Sequence, residues 1–374
     1  MRKIIYLIAC MLVGIHVQAQ KMEYNLLIGT YTITKPIKSE GIYVYNYKED
    51  DASTTLKSVA PNLANPSYLT VSPDKKFVYA VNEAGANSGV SAFSYDASTG
   101  KLIFLNKKDS RGADPCYLIA DDQNVIIANY SGGSLAVFAR NADGSLTDAQ
   151  QVIQHTGKSI DPEKRQESAH AHMVHFTPDK KYIVCTDLGE DQIYIYNYNG
   201  DNPKQALSIK TVIKTNAGSG PRHLTFTPDG KFAYVVHEFT GSITAYSYSN
   251  GNFNKIQEIG SVDKNFKGDI DAADIHVSPD GRFLYESNRG DLNNISVFSI
   301  LPTGRLAFKE QNSSLGKGPR NFVIDPSGKH LLVGHQYTND VVIFNIDKST
   351  GSISDSGKRI DVGAPVCLLF SPVQ

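Results

Sequence analysis

The chain has 374 residues with 37 basic and 38 acidic side chains, a formal net charge of −1. Neither a basic excess nor a basic run exists, which argues against nucleic acid or an anionic membrane as partner. Length alone allows two or three domains, but the 41% apolar fraction, twenty tyrosines and dense Gly, Asn and Asp punctuation point to many short strands.

The first stretch, MRKIIYLIACMLVGIHVQAQ, reads as a secretory signal peptide over residues 1–19. Two basic residues precede an apolar run, and small residues at Val17 and Ala19 suit cleavage before Gln20. The run is too short for a stable membrane span, so export to the periplasm, without membrane insertion after cleavage, is expected. A lipid anchor on Cys10 is the lesser alternative, because only six apolar residues precede it. The mature chain keeps Cys116, Cys185 and Cys367, an odd and sparse set that reads as buried free thiols.

One phrase then recurs through residues 20–374: an apolar run, Ser/Thr-Pro-Asp, basic or Gly residues, and a second apolar run ending in a polar pair. It reads NPSYLTVSPDKKFVYAVNE from Asn65, AHMVHFTPDKKYIVCTDL from Ala171 and GPRHLTFTPDGKFAYVVHE from Gly220. It returns as ADIHVSPDGRFLYESNR from Ala273 and GPRNFVIDPSGKHLLVGHQ from Gly318. A degenerate copy starts at Asp114 and a truncated one, APVCLLFSP, at Ala364. The turns recur roughly every fifty residues, a period of propeller blades. Pro-Asp-Gly and Pro-Asp-Lys read as hairpin turns, since proline presets φ and aspartate caps the bend. Third strands follow at 89–95, 192–198, 242–248 and 295–300, and a fourth follows each. Their tyrosines, Tyr45, Tyr95, Tyr196, Tyr246 and Tyr248, read as core and interblade packing.

The truncated last copy supplies one strand, and YNLLIGTYT with GIYVYNYKED supplies the next two. Pairing strand 365–370 with the N-terminal strands closes the ring. The expectation is one all-β domain, a seven-bladed β-propeller of four-stranded antiparallel blades.

Alternation places the start of each first strand and the end of each second strand at one channel mouth. Counting back seven from each turn aspartate, or its equivalent, gives Ser67, Cys116, His172, Arg222, Ala273, Arg320 and Val366. Second-strand ends give Thr30, Glu83, Tyr130, Leu188, Glu238, Arg289 and Gln336. Three arginines converging in one cleft need compensating anions. Glu83 and Glu238 supply part, and either a bound carboxylate or phosphate or an interblade ion-pair ring supplies the rest.

At these residues the chain resembles the seven-bladed propeller lactonases, which include bacterial 6-phosphogluconolactonases and a fungal carboxymuconate-lactonizing enzyme. The signatures are GTYT at Gly29, NPSYLTVSPD, the His170–Gly189 segment, GPRHLTFTPDGKFAYVVHE and DIHVSPDGRFLYESNR. The resemblance implies a catalytic set of His172, Arg222, Glu238 and Arg289, which falls within the two rings. His237 stands where the family pattern has asparagine, and secretion is foreign to a cytosolic pentose-phosphate enzyme.

Lactone hydrolysis needs an activated water, a partner for the oxyanion and a grip on substrate. Glu238 or His172 is the candidate base, and Arg222 and Arg289 are candidate oxyanion or anion binders. Arg320, Glu83, His170, His223 and His237 are candidate substrate contacts, with His335 near the mouth as a supporting residue. No Gly-x-Ser-x-Gly elbow supports a serine nucleophile. His170 and His172 could face one way as metal ligands but lack a third, since His175 has opposite parity and reads as a packed strand residue. No metal or cofactor is therefore expected, and the expected partner is a small anionic lactone. Two alternatives share the same residues: a periplasmic propeller that binds an anionic ligand or a protein without chemistry, and a muconate-type lactonizing cyclase.

Overall fold

Each Ser/Thr-Pro-Asp turn is closed by its own side chains. The hydroxyls of Ser72, Thr177, Thr227 and Ser278 donate to Asp74, Asp179, Asp229 and Asp280 at 2.6–2.7 Å. The same carboxylates accept the backbone N–H two residues on. The residue after the aspartate has positive φ, supplied by Gly230 (69°) and Gly281 (76°) but also by Lys75 (59°) and Lys180 (55°). Side-chain capping thus holds the bend even where a Cβ is present.

The computed structural model describes residues 23–33, 39–161, 165–263 and 265–373. The expected leader, its cleavage before Gln20, and Cys10 lie outside them. Among the described residues seven four-stranded antiparallel sheets form, as the repeat predicts. Blade 1 combines Pro365–Pro372 with Glu23–Thr30, Gly41–Lys48 and Ser53–Pro61, so the last strand pairs with the first and closes the ring. Blades 2 to 7 then follow in chain order, their first strands starting at Leu69, Pro115, Ala171, Pro221, Ala272 and Pro319. No described helix is long and apolar enough to cross a membrane.

Apolar layers fill the spaces between neighbouring blades, and the inner three strands of each blade are the buried ones. One layer joins Ile126 and Leu135 of blade 3 to Val174 and Ile195 of blade 4 and Val235 of blade 5. Tyr45, Tyr95, Tyr196, Tyr246 and Tyr248 are buried in such layers or beside them. Cys116, Cys185 and Cys367 are buried free thiols.

Glu286 interrupts the layer between blades 5 and 6. It shares a strand face with Leu284, which packs against blade 5, is fully buried, and accepts one hydrogen bond from Asn288 Nδ2 at 2.8 Å. Burial pushes its carboxyl up to about 8, against the pull of Ser261, Asn288 and Ser296. The folded state therefore holds a proton that the unfolded chain gives up near about 4.3. The stability this contributes is full below that value and is lost as pH rises through about 8. Wild type should lose roughly 2–3 kcal/mol between about pH 6 and about pH 8, and Glu286→Gln, which cannot ionise, should not. Thermal unfolding of both proteins across this range checks it, and parallel declines would assign the loss to another group.

The strands that line the channel share an irregularity. Their pairing register shifts where residue 116, 172, 320 or 366 is skipped. In blades 5 and 6 two consecutive residues, 222–223 and 273–274, fall in the shift. These include six of the seven positions found by counting back from the turns. A bulge there breaks the ladder and turns side chains toward the channel.

Candidate active site

The bulged residues converge. Ser67, Cys116, His172, Arg222, Arg320 and Val366, together with Tyr68, His223 and Asn321, line one constricted cavity of about 10 Å³, near the room one water needs. Ala273, the remaining ring position, presents its carbonyl to Arg222 Nη1.

Glu238 stands at the end of the second strand of blade 5, 1% exposed, and three guanidinium groups surround its carboxylate. Arg222 Nε lies 2.8 Å from Oε2, and His172 Nε2 lies 4.0 Å from the same oxygen. Arg289 Nη2 is 3.3 Å from Oε1, which also accepts from Arg165. Arg289 is held in turn by Asp271, 2.8 Å away.

Burial works to raise the Glu238 carboxyl, but Arg289, Arg165 and Arg222 together hold it well below the usual carboxylate range. Burial, then the charge of Arg289, lowers Arg222 to about 10, which leaves it cationic at neutral pH. Burial, Arg222 and His223 hold His172 well below the ordinary histidine value, so its imidazole is neutral. Burial raises the Asp271 carboxyl.

The arginines expected to need a bound anion are thus largely answered from within the chain. Glu238 and Asp271 pair Arg222, Arg289 and Arg165. Arg320 and Glu83 form a second group across the mouth, joined through Tyr31. The Tyr31 hydroxyl donates to Glu83 at 2.9 Å, and Arg320 lies over its ring, 5.6 Å from the centroid.

Arg165 and Asp271 were not legible as site residues. They stand in the two longest crossings between blades, residues 155–170 and 261–271, outside the repeat. Length at the mouth end was the available signal, since long connections on a rigid scaffold often carry function. Arg165 also donates to the Tyr130 hydroxyl at 3.1 Å and stacks on Phe239, 5.1 Å from the ring centroid. With Phe239, Gly268, Asp269, Ile270, Asp271 and Gly290 it lines an open cleft of about 420 Å³, a size that suits a small ligand.

The other predicted residues separate. His170 is at the mouth, stacked on Tyr130 at 4.5 Å, with Nδ1 on the Tyr130 carbonyl. His223 backs Arg222, its Nε2 3.2 Å from Nη1. His237 turns the other way from Glu238 and bonds Thr244 on the neighbouring strand at 2.8 Å, because adjacent strand residues face opposite sides. His335 pairs with Asp340 of its own blade. His175 packs on Phe226 of the next blade and bonds the carbonyl of Phe176.

Among the described residues His155, Asp187 and Glu190 are grouped closely enough for metal ligation. Their polar atoms are already engaged: His155 bridges Asp187 (2.6 Å) and the Tyr196 hydroxyl (2.7 Å), and Glu190 accepts from Gly157 and Tyr194. Asp187 also accepts the His170 N–H at 2.8 Å, so this cluster braces the segment that leads into His172.

Comparison with known proteins places this arrangement. The family described as "Lactonase, 7-bladed beta-propeller" matches residues 25–370. A 6-phosphogluconolactonase of Bacillus subtilis is 36% identical over 360 residues, covering 93% of this chain and 98% of that protein. One from Formosa agariphila is 34% identical over 335 residues, 88% of this chain and 94% of its own. The solved periplasmic gluconolactonase of Pseudomonas aeruginosa is 34% identical with a TM-score of 0.88, covering 94% of this chain and all of that one. Fold, near-complete coverage and the family match together make this chain a member of the seven-bladed β-propeller lactonase family.

Proposed function

We propose that this lactonase hydrolyses an uncharged sugar-acid lactone, with His172, Glu238, Arg222 and Arg289 as its working groups. The observation that carries this is the position of Glu238 between two spaces. Its Oε1 meets Arg165 and Arg289 beside the open cleft, and its Oε2 meets Arg222 and His172 beside the one-water cavity.

A water oxygen can sit about 2.9 Å from both His172 Nε2 and Glu238 Oε2, because those atoms are 4.0 Å apart. His172 is neutral, the form that can accept a proton, and Glu238 opposes the burial and Arg222 that weaken it as a base, while the Glu238 carboxylate is itself committed to three guanidinium groups. The water adds to the lactone carbonyl, its proton passes to His172, and Glu238 stabilises the imidazolium. Arg222 and Arg289 face the developing oxyanion, since a guanidinium has five N–H donors to distribute. The ring C–O bond then breaks, and the imidazolium returns its proton to the leaving oxygen. The product is the open hydroxy acid.

The charge of the cleft favours a neutral substrate over a phosphorylated one. Its lining offers Arg165, already engaged with Glu238, against the acidic residues Asp269 and Asp271. Among the described residues that line the cleft, a dianionic phosphate would face the carboxylates of Asp269 and Asp271 with no cation but Arg165. The gluconolactonase name of the Pseudomonas aeruginosa relative agrees with this choice. That relative is also named periplasmic, which supports export through the leader at residues 1–19.

The test is hydrolysis of gluconolactone and 6-phosphogluconolactone, followed by acid release and corrected for spontaneous opening. The neutral lactone should give the larger kcat/KM, by about tenfold or more. A rate equal to the spontaneous one on both would overturn the hydrolase assignment, and preference for the phosphorylated lactone would overturn the substrate class.

A further inference from the structure

Behind Arg222 runs a chain of contacts that the hydrolysis steps do not use. Arg222 Nη1 lies 3.2 Å from His223 Nε2, and His223 Nδ1 lies 2.8 Å from Asp274 Oδ1. Asp274 is 2% exposed, and both of its oxygens are saturated. Oδ1 also accepts the Ile275 N–H at 3.0 Å. Oδ2 accepts His276 Nε2 at 3.0 Å, Asn321 Nδ2 at 2.5 Å and the Phe322 N–H at 3.2 Å.

A guanidinium nitrogen only donates. His223 Nε2 must therefore accept, which requires a neutral ring with its proton on Nδ1. That proton needs an acceptor, and Asp274 Oδ1 is in place. The opposite tautomer would set two N–H groups against each other at the Arg222 contact and leave Asp274 facing a lone pair. A carboxylate fixing the tautomer of a working histidine is a general device.

The ring cannot escape this arrangement by rotating. Tyr117 and His172 meet it edge to face at 5.2 Å, and Tyr68 at 6.3 Å. Burial and Arg222 lower His223 to about 4 against the pull of Asp274, so it stays neutral where the enzyme works. Arg222, Arg320, His172, Asp274 and, through Asp274, His276 are the charged or titratable groups acting on it, with the Tyr117 and Tyr68 rings packed beside it.

We infer that Asp274 is a positioning residue for lactone hydrolysis: by keeping the His223 proton on Nδ1, it makes Nε2 the acceptor that aims Arg222 at Glu238 and the reacting carbonyl. The inference rests on the hydrolase assignment above. The two-residue bulge of blade 6 supplies both supports of Arg222, Ala273 through its carbonyl and Asp274 through His223.

Asp274→Asn tests it. The amide oxygen should turn to the three donors on the Oδ2 side, leaving the amide N–H₂ to face His223 Nδ1. Nitrogen-15 NMR of histidine-labelled protein should then show His223 protonated on Nδ1 in wild type and on Nε2 in the variant. The value of kcat should fall about 100-fold. In a His223→Gln background, where no tautomer exists and the amide oxygen can accept from Arg222, the same change should cost less than about threefold. Equal losses in both backgrounds, or an unchanged tautomer in Asp274→Asn, would overturn the inference. If Asp274→Asn does not fold, His223→Gln against His223→Phe decides: the first should keep most of the rate and the second lose it, and equal rates would overturn the inference. A wild type inactive on every lactone would sink the hydrolase assignment instead, while the tautomer measurement would still report on Asp274.

Discussion

Glu238→Gln should lower kcat by about 1,000-fold on any lactone the wild type hydrolyses, with a much smaller change in KM. The variant keeps the shape of the side chain and removes the charge that stabilises the imidazolium of His172, 4.0 Å away. It also strips Arg222, Arg289 and Arg165 of their shared counter-ion. Leaving buried charge uncompensated costs roughly 3–5 kcal/mol, so Tm should fall along with activity. Assaying below the variant's Tm, with folding checked by circular dichroism, separates the two effects. The pH dependence gives a second check. Because the folded pKa of Glu238 is depressed, its stabilisation is present above the ordinary carboxylate value and is lost as pH falls through the folded one. The variant should lack that acid-side loss. A folded variant within tenfold of wild-type kcat would remove Glu238 from the mechanism.

Arg222→Met should lower kcat by about 100- to 1,000-fold through a different loss. Glu238 keeps Arg289 and Arg165 as partners, so its carboxylate stays ionised. What disappears is the buried donor set between the one-water cavity and Glu238, and the Ala273 carbonyl and His223 Nε2 lose their donor. Each unsatisfied buried acceptor costs about 1–3 kcal/mol, a smaller stability loss than in Glu238→Gln. Arg222→Lys restores the charge but not the fork that reaches Glu238, Ala273 and His223 together. It should therefore recover stability more than rate. Single-turnover kinetics with thermal unfolding on the three proteins gives the ranking, and a Lys variant with wild-type kcat would show that only the charge matters.

The propeller was legible because its turns are local. Pro-Asp with a neighbouring hydroxyl closes the hairpin in four blades, and their spacing lets the degenerate and truncated copies be aligned as the remaining three anchors. The ring around the channel was legible for the same reason, since His172, Arg222 and Arg320 lie a fixed distance from those turns. Counting could not distinguish faces where the ladder is irregular. Strict alternation puts Arg222 and His223 on opposite sides, yet the bulge after Pro221 brings both to the channel. Where the strand is regular, alternation holds and separates His237 from Glu238, which mere nearness in sequence had grouped together. Arg165 and Asp271 belong to crossings with no counterpart in other blades, so no internal comparison could align them. Their role emerges only when blades 4, 5 and 6 meet at Glu238.

The closure of blade 1 has a consequence for how the protein is made. Leu26 pairs with Phe370 and Ile28 with Leu368, residues almost the whole chain apart. These contacts cannot form until the last strand has been synthesised, and contacts of such high sequence separation slow folding. Until then the strand Glu23–Thr30 keeps one edge open, and the interblade layer that Leu26 and Ile28 share with Leu332, Val341 and Leu368 is incomplete. The chain thus stays short of its native ring until elongation is complete. The same interval exposes an unpaired strand edge to other chains. The C-terminal strand, which brings Val366 to the cavity beside His172 and Arg222, sets when the channel mouth can first assemble.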